Sequence, residues 1–313
     1  MTTDVQTGRS HAGMGAGAAL GAFLIWGFAP LYFKAVEHIG AWQIVAHRIL
    51  WSVVMLGLLL LVLGRLREIR DVLRSRRRFL TYCATTALVT VNWSVFIWAV
   101  LNGYLVQSAL GYYLSPLINV LLGVVFLGER LGRLQVAAVG LAAVGVLISV
   151  VGAGEIPWIA LVLAGTWGFY GLIRKREKID PFVGLMVETG FLLPVCLAYL
   201  LWLWSQGAGA FGPVAAGGEG WAMSLAIMAS GLITGLPIVL YMIGARHLPL
   251  STVGLLQYLS PSINLVLATL VFEEPLRPAT LVTFAFIWAG LVLFTIDATR
   301  RARLLVAPRH GIG

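Results

Sequence analysis

Tyr113-Leu114-Ser115-Pro116-Leu117-Ile118-Asn119 returns later in the chain as Tyr258-Leu259-Ser260-Pro261-Ser262-Ile263-Asn264. Six of the seven residues are identical, and each copy lies within a long apolar run. A second pair follows the same pattern. Trp26-Gly27-Phe28 recurs as Trp167-Gly168-Phe169, and Lys34 recurs as Lys175 at the same spacing. The chain therefore repeats itself, and the repeat decides how the rest is read.

Outward from these motifs, apolar runs long enough to cross a bilayer core of about 30 Å cover nearly all of the 313 residues. They fall at 13–35, 41–63, 79–100, 104–127, 133–151, 156–173, 183–204, 220–245, 249–272 and 278–297. Helix is predicted for every one, because lipid offers backbone polar groups no water partner. Hydrophobic residues make up 59% and charged residues only 11% of the chain, against about 25% charged in a soluble domain. The expected fold class is an all-α integral membrane protein of ten transmembrane helices. Each half holds five spans, and five is odd, so the second half enters the membrane from the opposite side as an inverted repeat. The expected units are a disordered polar tail at 1–12, repeats at 13–151 and 152–297, and a basic tail at 298–313. No signal peptide is expected before the first span.

The net charge of +9 does not point to nucleic acid, because the cations are confined to short loops. Arg65, Arg67, Arg70, Arg74, Arg76, Arg77 and Arg78 lie between spans two and three. Arg130, Arg133, Arg174, Lys175, Arg176, Lys178, Arg246, Arg300, Arg301, Arg303 and Arg309 share that side with the N-terminus. The opposite loops carry Arg277 together with Glu37, Glu155, Glu219, Glu273 and Glu274. The positive-inside rule then puts both termini in the cytoplasm, with the arginine run read as a topology signal and a contact for lipid headgroups.

Several motifs resemble the RarD subgroup of the EamA-type drug/metabolite transporters. They are Ile25-Trp26-Gly27, Ala46-His47-Arg48-Ile49-Leu50-Trp51-Ser52, Asn92-Trp93 with Trp98-Ala99-Val100, the Leu114 to Asn119 run with Leu127-Gly128-Glu129-Arg130, and Thr283-Phe284-Ala285-Phe286-Ile287-Trp288. The likeness spans residues 15 to 297. It implies two EamA repeats in a bacterial cytoplasmic membrane and transport, as export, of small organic solutes. Chloramphenicol is linked to the subgroup by label.

Ionisable groups at membrane depth mark the functional candidates, since each costs about 3 kcal/mol on insertion scales. His47 and Arg48 lie a third of the way into span two, and Glu188 is the acid well inside an apolar span. At the spacing of the Trp-Gly-Phe pair, Glu188 corresponds to His47. These three are expected to face the interior, binding a polar or anionic group or relaying a proton. Pro116 and Pro261 are expected hinges, because each removes one helical hydrogen bond and frees a carbonyl; Pro237 is a third. Tyr113, Asn119, Tyr258 and Asn264 lie within about a turn of the paired prolines. Trp26, Trp167, Asn92 and Trp93 complete the candidate cavity lining. Against these stand bland readings: snorkelling for Arg48, helix-to-helix bonds for the asparagines, and interfacial anchoring for the tryptophans.

Cys83 and Cys196 lie in apolar runs, and neither metal-ligand spacing nor a nucleotide loop is present, so no cofactor is expected. A secondary transporter explains the duplication, the paired prolines and the sparse buried charge together. A channel or structural membrane protein is the alternative, with a membrane-embedded enzyme behind it. The expected partners are a small organic solute and membrane lipids, with proton coupling and a homodimer both open.

Overall fold

A computed structural model describes residues 2–128, 131–153, 156–177, 179–212, 220–248 and 250–306. The first half contains α1 (Thr2–Ala35), α2 (Ala41–Val62), α3 (Leu66–Arg74), α4 (Arg76–Leu101), α5 (Leu105–Leu127) and α6 (Arg133–Ala153). The second contains α7 (Trp158–Arg176), α8 (Pro181–Ser205), α9 (Gly220–His247), α10 (Leu250–Leu256), α11 (Leu259–Val266) and α12 (Pro278–Val306). Among the described residues, nine helical segments are long and apolar enough to cross a membrane. They correspond to every predicted span except the sixth. That one is α7, a 19-residue helix whose last turn is Arg174-Lys175-Arg176, which leaves it a shorter apolar length than its neighbours.

Four features differ from the sequence reading. The segment 1–12, expected as a disordered tail, joins α1 as helix from Thr2, and α12 carries into the expected basic tail as far as Val306. The loop after span two contains α3, a nine-residue helix with Leu66, Ile69 and Val72 interleaved with Arg67, Arg70 and Arg74. It is too short and too charged to register as an apolar run. Finally, span nine is not one helix. Pro261 has no N–H for the carbonyl four residues earlier, and the chain breaks at Gln257–Tyr258 between α10 and α11. A five-residue π-helical turn, Leu267–Val271, closes the same span.

Local chemistry fixes the helix ends. Asp180 caps α8 by accepting from the Phe182 amide at 2.9 Å, with Pro181 at the first helical position, where its missing N–H costs nothing. Gly128 ends α5 in the left-handed region at φ 66°, a conformation open to glycine. Glu274 performs a longer-range version of capping. Its two carboxylate oxygens accept from the amides of Leu105 and Val106 at 2.7 and 2.8 Å, closing the N-terminus of α5 from the far half of the sequence. Burial pushes its pKa above the usual carboxylate value, while the two amide hydrogen bonds pull the other way. Its repeat counterpart, Glu129, lies outside the described residues.

The two halves are interleaved rather than set side by side. α1 packs on α9 and α11; α7 packs on α4 and α5. α2 packs on α8 and α9, α5 on α11, and α6 on α12. Glycines let the backbones approach at matching points of the two repeats. A Cβ on Gly27 would meet Ile263 at 2.7 Å, and one on Gly168 would meet Ile118 at 2.9 Å. Where α6 crosses α12, Gly145 faces the Thr283 carbonyl and Gly290 faces the Ala138 carbonyl, at 3.1 and 2.8 Å from such a Cβ. The Thr283 hydroxyl seals this crossing by donating to the Gly145 carbonyl at 2.9 Å.

Gly290→Ala is expected to lower the melting temperature of the purified protein, at a cost of about 1–3 kcal/mol, because overpacking here meets backbone rather than a flexible side chain. Gly140→Ala, where nothing lies within 4 Å, is expected to leave it unchanged or raise it. Glu274→Ala strips two buried amides of their acceptor and is expected to cost about 1–3 kcal/mol in the same thermal measurement.

Candidate functional site

Two buried polar clusters occupy the interior, one on each of the paired helices α2 and α8. The first is built around Arg48, which is 7% exposed. Its Nε donates to the Thr234 hydroxyl of α9 at 2.7 Å. Its guanidinium carbon stands 4.3 Å from the centre of the Trp93 ring of α4 and 5.8 Å from that of Phe33 of α1. The Tyr32 and Tyr112 hydroxyls are close enough to act on it electrostatically. Tyr32 is itself oriented by donating to the Ala226 carbonyl at 3.0 Å. Four helices besides α2 thus contribute to one guanidinium.

The sequence places these groups by simple periodicity. Ser230-Gly231 and Thr234-Gly235 repeat at a four-residue spacing on α9, so the two hydroxyls form one row along the helix and the two glycines the row beside it. A Cβ on Gly231 would meet the Trp51 carbonyl at 2.7 Å, and Gly235 lies against Met55. The close approach of α9 to α2 brings Thr234 within reach of Arg48. Arg48 does not snorkel. Burying an ion costs several kcal/mol, and a desolvated cation–π contact with Trp93 returns about 2 kcal/mol. Among the described residues, no carboxylate lies within ion-pair distance of Arg48, whereas ion pairs do join Lys34 to Glu37 and Arg65 to Glu68 and Asp180.

His47 sits beside Arg48 at 4% exposure, with its Nδ1 buried and without a hydrogen-bond partner. The ring of Phe211, from the segment after α8, packs at 6.2 Å from His47 and 5.6 Å from Trp51. Sequence reasoning missed Phe211, Thr234 and Tyr32. Phe211 lies in a connecting segment with no repeat counterpart to mark it. The four-residue Ser-Gly and Thr-Gly spacing was the available signal for Thr234.

The second cluster surrounds Glu188, which is fully buried. The Tyr170 hydroxyl of α7 donates to its Oε2 at 3.1 Å, and Thr85 of α4 is adjacent. Arg174, counted in the sequence among the loop cations, folds back from the last turn of α7. Its guanidinium donates to the Tyr82 hydroxyl, lies over the Tyr82 and Tyr170 rings, and fills the space above Gly184. Trp167 stacks on Tyr170 at 5.5 Å. The expected trio of His47, Arg48 and Glu188 is therefore buried but divided, with His47 and Arg48 in one cluster and Glu188 in the other.

The remaining candidates take several roles. Asn92, 1% exposed, donates through Nδ2 to the Leu163 carbonyl and the Thr166 hydroxyl at 3.1 and 2.9 Å, joining α4 to α7. Tyr113 and Tyr258 stack at 6.0 Å, and the Tyr113 hydroxyl shares a 2.5 Å hydrogen bond with Ser262. Trp26 lies against Tyr241 and Phe23. The two motif asparagines differ: Asn119 is exposed beside Gly168, whereas Asn264 is buried with an unpartnered Oδ1. Pro116 lies inside an unbroken α5, Pro237 inside an unbroken α9, and Pro261 just after the break in span nine.

The model of a family described as the EamA-like transporter family matches residues 13–151 and 156–296. The chain is 41% identical to an uncharacterized transporter of Vibrio cholerae, over 91% of this chain and 95% of that protein. It is 42% identical to Protein RarD of Streptomyces exfoliatus, over 90% of this chain and 88% of the relative. In fold it is similar to a crystal structure at 19% identity, with a TM-score of 0.57 over 91% of this chain and 98% of the other.

Asn92→Leu is expected to lower the melting temperature, at a cost of about 1–3 kcal/mol, by leaving the Thr166 hydroxyl and Leu163 carbonyl without their donor. A cavity-lining role alone would leave stability unchanged.

Proposed function

The chain belongs to the EamA-like transporter family, in its RarD subgroup, and from that premise we propose that it is a secondary transporter exporting small organic solutes by alternating access. It does so as ten membrane-crossing helices in two inverted five-helix repeats, with both termini in the cytoplasm of a bacterial cell. α7 is the tenth crossing, shortened in apolar length because Arg174 in its last turn folds inward to the Glu188 cluster.

One observation carries the reading. The same motif sits in two settings in one molecule: Tyr113 to Asn119 runs through continuous helix in α5, whereas Tyr258 to Asn264 begins at the break that separates α10 from α11. The two copies pack on each other through the Tyr113–Tyr258 stack. In a protein with inverted repeats, exchanging the conformations of the halves converts one access state into the other. The crosswise packing of α1 on α11 and of α7 on α5 supports the same symmetry. Arg48 holds the solute, and Glu188 with Tyr170 carries the proton if transport is proton-coupled. Phe211, over His47 and Trp51, covers the outer side of the Arg48 cluster.

The test is flux into proteoliposomes over a panel of amino acids, small aromatic metabolites and chloramphenicol, with and without a pH gradient. Arg48→Ala is expected to lower uptake of the transported solute about 30–100-fold, the loss of one hydrogen bond to a charged group. Glu188→Gln is expected to make any remaining flux indifferent to the gradient. Conductance that does not saturate with solute would favour the channel reading instead.

A further inference from the structure

We propose that the solute held at Arg48 is an organic anion, and that its carboxylate or phosphate group supplies the counter-charge this guanidinium lacks. The inference rests on the transporter reading and specifies the chemistry of its binding site. An arginine inside a membrane protein ordinarily pairs with an acid or with backbone carbonyls. Arg48 faces the Thr234 hydroxyl, two aromatic rings and the hydroxyls of Tyr32 and Tyr112, and, among the described residues, no charge of opposite sign. The interior carboxylate, Glu188, is held instead by Tyr170 and accompanied by its own cation, Arg174. The arginine and the acid therefore do not neutralise one another.

The surroundings of Arg48 favour an oxyanion over any other guest. Trp93 covers the face of the guanidinium, which leaves the planar edge for in-plane contact. Nε is engaged by Thr234, and the two terminal nitrogens make no hydrogen bond among the described residues. That fork matches the two oxygens of a carboxylate or phosphate. One turn on along α2, the Ser52 hydroxyl and the Trp51 Nε1 are buried without partners. Both groups can donate, as the fork does, so the unpartnered groups of this stretch of α2 favour an acceptor-rich guest. A cationic solute would meet an uncompensated positive charge, and a neutral one would leave that charge unpaired.

The purified protein would be titrated with four matched compounds: phenylacetate, phenyl phosphate, benzyl alcohol and benzylamine. Thermal unfolding at constant ionic strength, with sodium chloride as the control, gives the readout. We expect a saturable rise in melting temperature with one or both anions, and none with the alcohol, the amine or chloride. Which anion acts distinguishes carboxylate from phosphate. Arg48→Gln abolishes the rise, and Arg48→Lys, which keeps the charge but loses the fork, weakens the apparent affinity about tenfold. The proposal is overturned if neither anion acts, if chloride or the alcohol or amine acts equally, or if the anion effect survives in a folded Arg48→Gln protein. Flux of the same compounds reports on the transporter reading separately. Anion binding without flux sinks transport and keeps the site; flux of benzylamine without anion binding does the reverse.

Discussion

Water does not drive helices together inside a bilayer, because lipid tails are as apolar as leucine. Close backbone contact and buried hydrogen bonds must hold them, and in this chain both kinds run mainly between the two halves. Gly27 meets Ile263, Gly168 meets Ile118, and Gly145 and Gly290 bring α6 and α12 together. The hydrogen bonds follow suit: Asn92 reaches Thr166, Thr283 reaches Gly145, and Glu274 caps α5. Every feature of the interior depends on this interleaving. The Arg48 cluster exists because α9 lies against α2, and the Glu188 cluster because α4 lies against both α7 and α8.

The two clusters are chemically unlike although the repeats are alike. At the spacing that aligns the Trp-Gly-Phe motifs, Phe33 corresponds to Arg174. One repeat therefore places a ring beside its partner cluster, and the other a guanidinium. The outcome is a cation without an acid on α2 and an acid with a cation beside it on α8. Duplication preserved the frame while the chemistry at equivalent positions separated.

Much of the architecture was legible in the sequence because lipid imposes blunt rules. Runs of apolar residues, paired motifs and loop cations located the spans. Deep ionisable residues named Arg48, His47 and Glu188, and all three are buried. What escaped depends on three-dimensional proximity. Arg174 was counted with the loop because a residue at a helix end carries no mark of folding inward. α3 was hidden by its own charges. Hinges were expected at Pro116 and Pro261 alike, and what the sequence could not tell was that the break falls beside Pro261 while α5 runs on through Pro116; packing, rather than the nearly identical motif, decides between bent and continuous helix. The separation of Glu188 from Arg48 likewise follows from which neighbour each helix face meets, a matter that repeat spacing does not address.

The interleaving also sets the order in which the protein is made. Arg48 is synthesised 186 residues before Thr234, the hydroxyl that receives it, and Tyr32 precedes its Ala226 acceptor by 194. At ribosomal rates of about 5–20 residues per second, that interval is roughly 10–40 s. During it, α1 and α2 stand in the membrane with an unmatched guanidinium and bare glycine faces, open to wrong partners and to quality-control proteases. A ribosome that stalls after the first repeat releases an incomplete protein, not a half-sized one. Every contact between the halves therefore forms late, after the second repeat has been made.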